Sequence, residues 1–400
     1  MDVSALRYIG DRELEAHLRT DEAVRRAIEQ HSHEHGSTLR RDLLARALRL
    51  TSGIAPTVLA LVERIRVLLG VTVEVEAYVY PSADLNAACT KVEDGRVFLL
   101  LSSSLVDGFT EDELGFVIGH ELGHHLFGHH AIPLPALLNG DAAQNPGLAI
   151  ELFAWQRAAE ISSDRVGLIC TSGFAAAGQA MFKLTSGLTG SRLAIDLDAF
   201  LGQASELAAG PRVDGTGEGD GAERDWFSSH PFSPLRVRAL KLASDSVLCR
   251  ADGYSLATLD DRTRDLLSVM EPSYAREKSE AGEALRRLFF AAGIAVAAAS
   301  DGIDPAERSA LERFLGKDGL PEQPNVAALL GVLDERAREV ARVAPLFRRR
   351  QLVRDLCIVA RADGRVDDAE RALLDRIAQL VGVPSLAVDE ALAHLGRPLD

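Results

Sequence analysis

Cysteine is scarce in this sequence of 400 residues, and basic residues are outnumbered by acidic ones. The four cysteines, at 89, 170, 249 and 357, show no C-x-x-C spacing, which indicates isolated buried thiols in a reducing compartment. The chain has 44 basic and 59 acidic residues, for a net charge of -15. This balance argues against nonspecific binding to nucleic acid or to an anionic membrane surface.

Long apolar runs and a secretory signal are also missing. The longest apolar run, from Leu288 to Ala299, is too short to cross a bilayer and indicates a buried helix. The first residues lack the basic start and apolar run of a signal peptide. We therefore expect a cytoplasmic protein with no integral membrane segment. A hydrophobic content of 47% is enough for the packed cores of two or three domains.

An amphipathic helix is predicted from Thr110 onward, and it carries His120, Glu121 and His124 in the pattern H-E-x-x-H. Residues four apart share one face of a helix, so the two imidazoles can bind one cation. Glu121 stands beside them, where its carboxylate can take a proton from water. Thr110 and Glu113 form a capping-box pattern. The motif predicts a zinc site, although a core helix with incidental histidines can have the same spacing.

A second helix is predicted from Asn145 and Pro146 to about Cys170, and it contains Glu160 and Asp164. These two acids are four residues apart and share a face. Glu160 can complete a two-His-one-Glu zinc site, while Asp164 can hold a ligand imidazole by its second nitrogen. The apolar neighbours of both acids indicate a buried helix rather than a solvated acidic face.

A third segment places His230 just before a helix that is expected to begin with Ser233 as its cap and Pro234 as its first residue. His230 could donate a hydrogen bond to the oxyanion that forms when a carbonyl is attacked. Arg236 could anchor either a substrate or a buried carboxylate.

His130 is a rival for the third ligand position. It lies ten residues after His120, where a metzincin places its third ligand. That architecture needs a turn glycine at position 127, which Phe127 occupies here. The sequence therefore favours Glu160 over His130.

Taken together, these motifs resemble the HtpX and CaaX-prenyl-protease family of gluzincin metallopeptidases, which is peptidase family M48-like. The resemblance covers roughly residues 50–245 and rests on three motifs: His120-Glu121-x-x-His124, Glu160-x-x-Ser163-Asp164, and His230-Pro231 with Arg236. It implies one Zn²⁺ per chain, bound by His120, His124 and Glu160. It also implies that Glu121 is the catalytic base and that His230 and Arg236 assist at the substrate.

Strand patterns precede the metal-site helix. Residues 71–80 alternate valines with polar residues such as Glu76, as in a strand with one buried face. Leu85 to Lys91 and Arg96 to Leu101 flank a turn sequence, Glu93-Asp94-Gly95, and should form a hairpin. We expect a small sheet beside the helix, with residues 97–101 as an edge strand that pairs with extended substrate.

The chain is helical in pattern from about residue 276 and contains an internal repeat. The segment from Ala297 to Glu307 returns as Val359 to Glu370, each ending one helix at a glycine and opening the next with acidic residues. These paired turns resemble TerB-like tellurite-resistance domains over about residues 280–398. The resemblance implies that their acids could bind a cation, and the apolar spacing predicts a separate core.

Two other segments stay open in function. His31-x-His33-x-His35 could bind a second metal or could simply end a solvated helix. The Gly- and Asp-rich residues 210–221 could cover a cleft before His230 or could be a disordered insertion.

We therefore predict an α+β protein, with a zincin-type domain that has a small sheet and an HExxH helix, joined to an all-α TerB-like domain. The expected divisions are a helical segment at 1–50, the peptidase at 51–250, an exposed connection at 251–275 that includes Asp260 to Arg264, and the helical domain at 276–400. The expected function is zinc-dependent endopeptidase action on proteins or peptides. The alternative is a catalytically silent, metal-stabilised interaction protein.

Overall fold

The computed structural model describes residues 2–32, 39–140, 146–190, 195–209, 230–267, 270, 280–299, 302–315, 320–321, 323–344 and 346–394. These residues fall into two compact units. The first lies within Met1–Gln144, Glu151–Ala209 and Ser228–Val269, and the second within Asn145–Ile150 and Met270–Asp400. Three sequence predictions fall outside the described residues: the cap at Asn145, metal binding by His33 and His35, and the loop at 210–221.

The first unit is mostly helical. Its described α-helices, in chain order, are α1 (Ile9–Leu18), α2 (Glu22–Ser32), α3 (Leu39–Arg46), α4 (Pro56–Leu68), α5 (Ser103–Gly108), α6 (Glu111–Leu126), α7 (Leu134–Asn139), α8 (Pro146–Ile169), α9 (Phe174–Ser186), α10 (Leu197–Ala209), α11 (Ser233–Ser244) and α12 (Leu256–Leu267). The first residues of α8, 146–150, fall in the second unit. Short 3-10 helices span Val3–Leu6 and His129–Ala131. The predicted helices that carry the metal-site motifs are confirmed as α6 and α8. The third begins one residue from its predicted start, since Phe232 is the cap of α11.

A four-stranded sheet completes the first unit, in the order β1-β2-β4-β3. Its strands are β1 (Leu48–Arg49), β2 (Glu74–Tyr80), β3 (Ala87–Cys89) and β4 (Arg96–Ser102). The antiparallel hairpin of β3 and β4 is confirmed, with Asp94 and Gly95 at φ angles of 48° and 74° in its turn. β2 pairs with β4 in parallel, and β3 contacts α6.

Two predictions about the strands are wrong. β4 is not an edge strand, because it lies between β2 and β3, so β3 is the edge beside α6 within the described part of the sheet. Glu76 is buried instead of facing solvent, and its carboxylate accepts hydrogen bonds from Arg40, Arg49 and Tyr78. Strand order and buried ion pairs depend on residues remote in sequence, which strand periodicity does not report.

The predicted exposure of residues 260–264 is also wrong. Thr263 on α12 is fully buried, and Asp260 accepts a hydrogen bond from Arg165 of α8 at 2.8 Å. This segment therefore belongs to the first unit rather than to an exposed connection. Among the cysteines, Cys249 is exposed while the other three are buried, so the expectation of a buried thiol fails there.

The second unit is all-helical across its described residues, which gives the chain the expected α+β class. Its helices are α13 (Glu280–Ala297), α14 (Pro305–Leu315), α15 (Val326–Val343), α16 (Leu346–Ala360), α17 (Asp368–Leu380) and α18 (Leu386–His394). A core of its own packs between them, as the helical spacing predicts, and includes Leu288, Phe289, Leu311, Leu356 and Ile377. Across the described ranges, none of the helices combines the length and apolar character needed to cross a bilayer.

The acidic residues in both turns of the second unit cap the helices that follow them. Glu370 accepts a hydrogen bond from the Asp367 backbone N–H, and Glu307 accepts one from the Asp304 N–H, each at 2.9 Å. The two copies are thus equivalent in their caps despite their different lengths. Burial and the neighbouring Glu370 carboxyl raise the pKa of Glu307 to about 7.

Candidate metal centre

The helix that carries H-E-x-x-H begins at a firmly fixed point. Thr110 and Glu113 form a complete capping box, with the Thr110 N–H donating to the Glu113 carboxylate at 2.7 Å. The same buried carboxylate pairs with Lys183 of α9, also at 2.7 Å. The start of α6 is therefore held to its neighbours, and this sets the direction in which the later histidines project.

Glycines on one face of α6 allow the backbone of α8 to come close. A Cβ atom at Gly119 would lie 2.7 Å from the Sγ of Cys170, and one at Gly123 would lie 3.0 Å from the Cα of Ser163. Larger residues would force the two helices apart. This close packing brings the carboxylates of α8 beside the imidazoles of α6.

Three side chains converge at this helix pair. The Nε2 atoms of His120 and His124 are 3.2 Å apart, and they lie 3.6 Å and 3.4 Å from the nearer carboxylate oxygens of Glu160. One ligand atom from each residue falls within 4.8 Å of the others, the only such group of three among the described residues. The Oε2 atom of Glu160 is buried, and it faces the Nη2 atom of Arg236 at 3.2 Å without a hydrogen bond of good geometry. Two imidazole nitrogens and a carboxylate suit Zn²⁺.

The carboxylate of Asp164 and the guanidinium of Arg236 support His120. Nδ1 of His120 lies 2.9 Å from Asp164, and Arg236 of α11 donates two hydrogen bonds to the same carboxylate at 2.6 and 2.8 Å. Arg236 also lies 3.2 Å from Glu160. Burial raises the pKa of Glu160, but the guanidinium of Arg236 outweighs this and lowers it well below its usual value. These contacts agree with the predicted role of Arg236 in anchoring a buried carboxylate.

His124 has a separate set of supporting residues, which begins in the N-terminal helix. Its Nδ1 lies 2.9 Å from Nδ1 of His129, whose Nε2 lies 3.1 Å from the carboxylate of Asp11 on α1. Asp11 is fully buried. Burial raises its pKa, but hydrogen bonds from His129 and Arg7 outweigh this and lower it. No local sequence signal points to this role of Asp11, because His129, through which it acts, lies 118 residues away.

Glu121 lies on α6, the helix that contacts the edge strand β3. It is half-buried, and its charge acts together with burial to raise the pKa of the Cys89 thiol on β3. The candidate base and the two imidazoles thus lie on the helix that contacts the edge strand.

His230 and His130 take different places around the cluster. His230 lies with Nε2 3.6 Å from Oε1 of Glu160, and 56% of its side chain is exposed. The ring of His130 is 6.2 Å from that of His124, centroid to centroid, and burial lowers its pKa to about 4. The structure thus brings the seven residues predicted for the site together, with His130 outside the group of three.

Comparisons with known proteins match both parts of the chain. Residues 56–139 match the family model for Peptidase family M48, and residues 286–393 match that for Tellurite resistance protein TerB. The chain thus joins a segment that matches the M48 peptidase family, called the M48 segment below, to one that matches TerB, called the TerB segment. A curated relative, the plastoglobule-localized metallopeptidase 48, chloroplastic, of Arabidopsis thaliana, is 27% identical over 182 residues, 41% of this chain. The match spans 50% of that relative's length, and no solved structure matches significantly.

The M48 match ends before several residues of the centre. It includes β2 to α6, with His120, Glu121 and His124, but it stops at residue 139. Glu160 and Arg236 are assigned to the site by their position in the structure. Asp11 lies before the M48 segment altogether, in the first helix of the chain.

Proposed function

We propose that the M48 segment and the helices around it form a zinc-dependent endopeptidase. The observation that carries this proposal is the convergence of His120, His124 and Glu160 within 4.8 Å, with Glu121 adjacent on the same helix. A purely structural metal site has no use for a carboxylate beside the ligands. The family match adds independent support for hydrolysis of peptide bonds.

Each of the residues at the centre has its own role in the proposed reaction. Zinc held by the three ligands would act as a Lewis acid that polarises the scissile carbonyl and lowers the pKa of water. Glu121 accepts a proton from the attacking water and passes it to the leaving amine. His230, which is mostly exposed beside Glu160, donates a hydrogen bond to the oxyanion. Arg236 acts indirectly, because it holds Asp164 and Glu160 in place.

The free edge of β3 is the proposed binding site for the substrate backbone. β3 pairs with β4 on one side, contacts α6 and carries Cys89 near Glu121. An extended peptide added to this edge would form main-chain hydrogen bonds and would place its carbonyls near the base. Main-chain pairing tolerates many side chains, which fits protein or peptide substrates in general.

We assign the TerB segment a regulatory or targeting role, because the residues of the centre all lie before residue 240. The scattered cysteines and acidic charge favour the cytoplasm as the site of action. The rival function is a silent, metal-stabilised interaction protein, in which zinc would bind but no peptide bond would be cleaved.

Replacing the base separates these two functions. We expect Glu121→Gln to keep stoichiometric zinc and to lower cleavage of an unfolded protein by at least about 10²- to 10⁴-fold, because an amide cannot accept the proton. Zinc content and cleavage rate are measured on the full chain. Glu111→Gln is the matched control, since Glu111 lies on the same helix and is half-exposed in an ion pair with Arg64. Equal cleavage by Glu121→Gln and wild type would refute the mechanism, and a zinc-bound but inactive wild type would favour the interaction protein.

A further inference from the structure

Asp11 stands out among the buried acids because it lies far from the H-E-x-x-H motif in sequence and yet reaches one of its histidines. It sits in the first turn of α1, before the M48 segment, and is completely buried. Its link to His124 passes through His129, in the 3-10 turn that follows α6. Of the two imidazoles in the group of three, His120 has Asp164 as a direct anchor, whereas His124 depends on this two-step link.

The hydrogen bonds of Asp11 determine the protonation state of its carboxyl group. Its two oxygens accept from Arg7 at 2.8 and 3.0 Å, from Trp155 at 3.2 Å, and from Ser162 at 2.8 Å, with the Nε2 of His129 at 3.1 Å. Arginine and indole nitrogens can only donate. The carboxylate is thus an acceptor for every partner, so Nε2 of His129 carries a proton and donates to it.

This arrangement determines the tautomer of the next imidazole. Neutral His129 with its proton on Nε2 has a lone pair on Nδ1. That lone pair faces Nδ1 of His124 at 2.9 Å, so His124 donates from Nδ1. The Nε2 lone pair of His124 is then free, and this atom lies 3.2 Å from Nε2 of His120 and 3.4 Å from Glu160. In this series of hydrogen bonds, His124 donates to His129 and His129 donates to Asp11. The lone pair of His124 Nε2 therefore points to the group of three ligands.

We propose that Asp11 is a positioning residue for the metal centre: through His129 it holds His124 in the tautomer and orientation that present Nε2 to the ion. The inference rests on the proposed zinc site but not on peptide hydrolysis. It gives the N-terminal helix a function in metal binding that the M48 segment alone does not supply. Asp11 touches neither the ion nor the substrate in this scheme.

The first test is Asp11→Asn in the full chain. Whichever way the amide is turned, its NH₂ group meets a donor, at Trp155 or at His129. In both orientations the negative charge that holds the Nε2 proton of His129 is lost, which weakens the link to His124. Affinity for Zn²⁺, measured by competition with a chelator, should fall by about 10- to 100-fold. The absorption spectrum of the Co²⁺-loaded protein should also change, since the ligand geometry changes. Ser162→Ala, which removes one donor but leaves the His129 link, should bind zinc as wild type does.

Two substitutions of His129 separate positioning from simple packing. An asparagine amide can replace Nδ1 and still accept from His124, whereas a glutamine amide reaches the place of Nε2 and can donate to Asp11 while leaving His124 without its acceptor. We therefore expect His129→Gln to lose more zinc affinity than His129→Asn. A role in packing alone predicts the reverse order or none, because glutamine is closer to histidine in size. If Asp11→Asn does not fold, this pair tests the link through His129, because wild-type zinc affinity in both variants would overturn the positioning role.

The outcomes distinguish the inference from the proposed function. If wild type binds zinc and cleaves protein but Asp11→Asn and His129→Gln keep wild-type affinity, the positioning role is wrong and the peptidase stands. If wild type binds zinc without hydrolysis and the variants lose affinity in the expected order, the positioning role stands and the peptidase is wrong. If wild type binds no zinc, both are overturned.

Discussion

At the scale of single residues, two side chains near His124 could complete the coordination of a metal ion. Glu160 has oxygens within 3.6 Å of both ligand imidazoles, whereas His130 lies outside that group. We expect Glu160→Ala to lose stoichiometric zinc and His130→Ala to keep it, because a three-ligand site loses much of its affinity with any one ligand. Metal analysis of the purified variants measures this. Zinc lost from His130→Ala but kept by Glu160→Ala would indicate metzincin-like coordination.

A local sequence pattern marks each of the residues that the sequence proposes for the site. His120, Glu121 and His124 follow from helical spacing, and the Thr110 box fixes where that helix begins. The sequence left two roles open for Arg236, and its contact with Asp164, 72 residues away, favours the anchoring of a buried carboxylate. Asp11 could not be found because its link to His129 spans 118 residues. Such contacts are determined by the tertiary fold alone.

At the scale of elements, the close packing of α6 on α8 gives a direct prediction. Gly119→Ala would place a Cβ 2.7 Å from Cys170 Sγ, so the helices must shift. We expect a loss of about 1–3 kcal/mol in the free energy of unfolding and weaker zinc binding, because the carboxylates of α8 move away from the imidazoles. Denaturant unfolding and chelator competition measure these effects.

The matched control is Gly202→Ala on α10, where an added Cβ meets no atom within 4 Å. Alanine is the better helix former by about 1 kcal/mol, so this variant should be unchanged or more stable. If both variants lost stability, the loss in Gly119→Ala could not be attributed to the close contact between α6 and α8. An unchanged zinc affinity in Gly119→Ala would show that the centre tolerates a shift of the helix pair.

Elements with their own capping and periodicity were predicted correctly, whereas their arrangement was not. Pro56 and Gly70 bracket α4, and Asp94 with Gly95 makes the β3–β4 turn, so each is read from a few adjacent residues. The parallel pairing of β2 with β4 places β4 inside the sheet and makes β3 the edge. Strand periodicity reports which face is buried but not which strand lies next to which.

At the scale of the whole chain, the described residues form two hydrophobic cores that have no residue in common. The core of the first unit draws on residues between Leu6 and Leu259, and that of the second on residues between Ala284 and Ala391. Each core is assembled from consecutive elements, with the metal centre entirely in the first. A chain with this distribution of buried apolar surface should have two parts that fold independently.

We expect residues 276–400, expressed alone, to be helical and to melt cooperatively, and residues 1–275 to bind zinc as the full chain does. Circular dichroism, thermal melting and metal analysis of the two fragments measure this.

Within the shorter fragment, residues 276–400, Leu288→Ala should lower the free energy of unfolding by about 2–5 kcal/mol because Leu288 is fully buried. Leu330→Ala is the control: its side chain is 44% exposed, and the change should stay within about 0.5 kcal/mol. Similar effects of the two substitutions would show that the fragment lacks a specific core. Loss of zinc from residues 1–275 would show instead that the helical part is needed to hold the metal centre together.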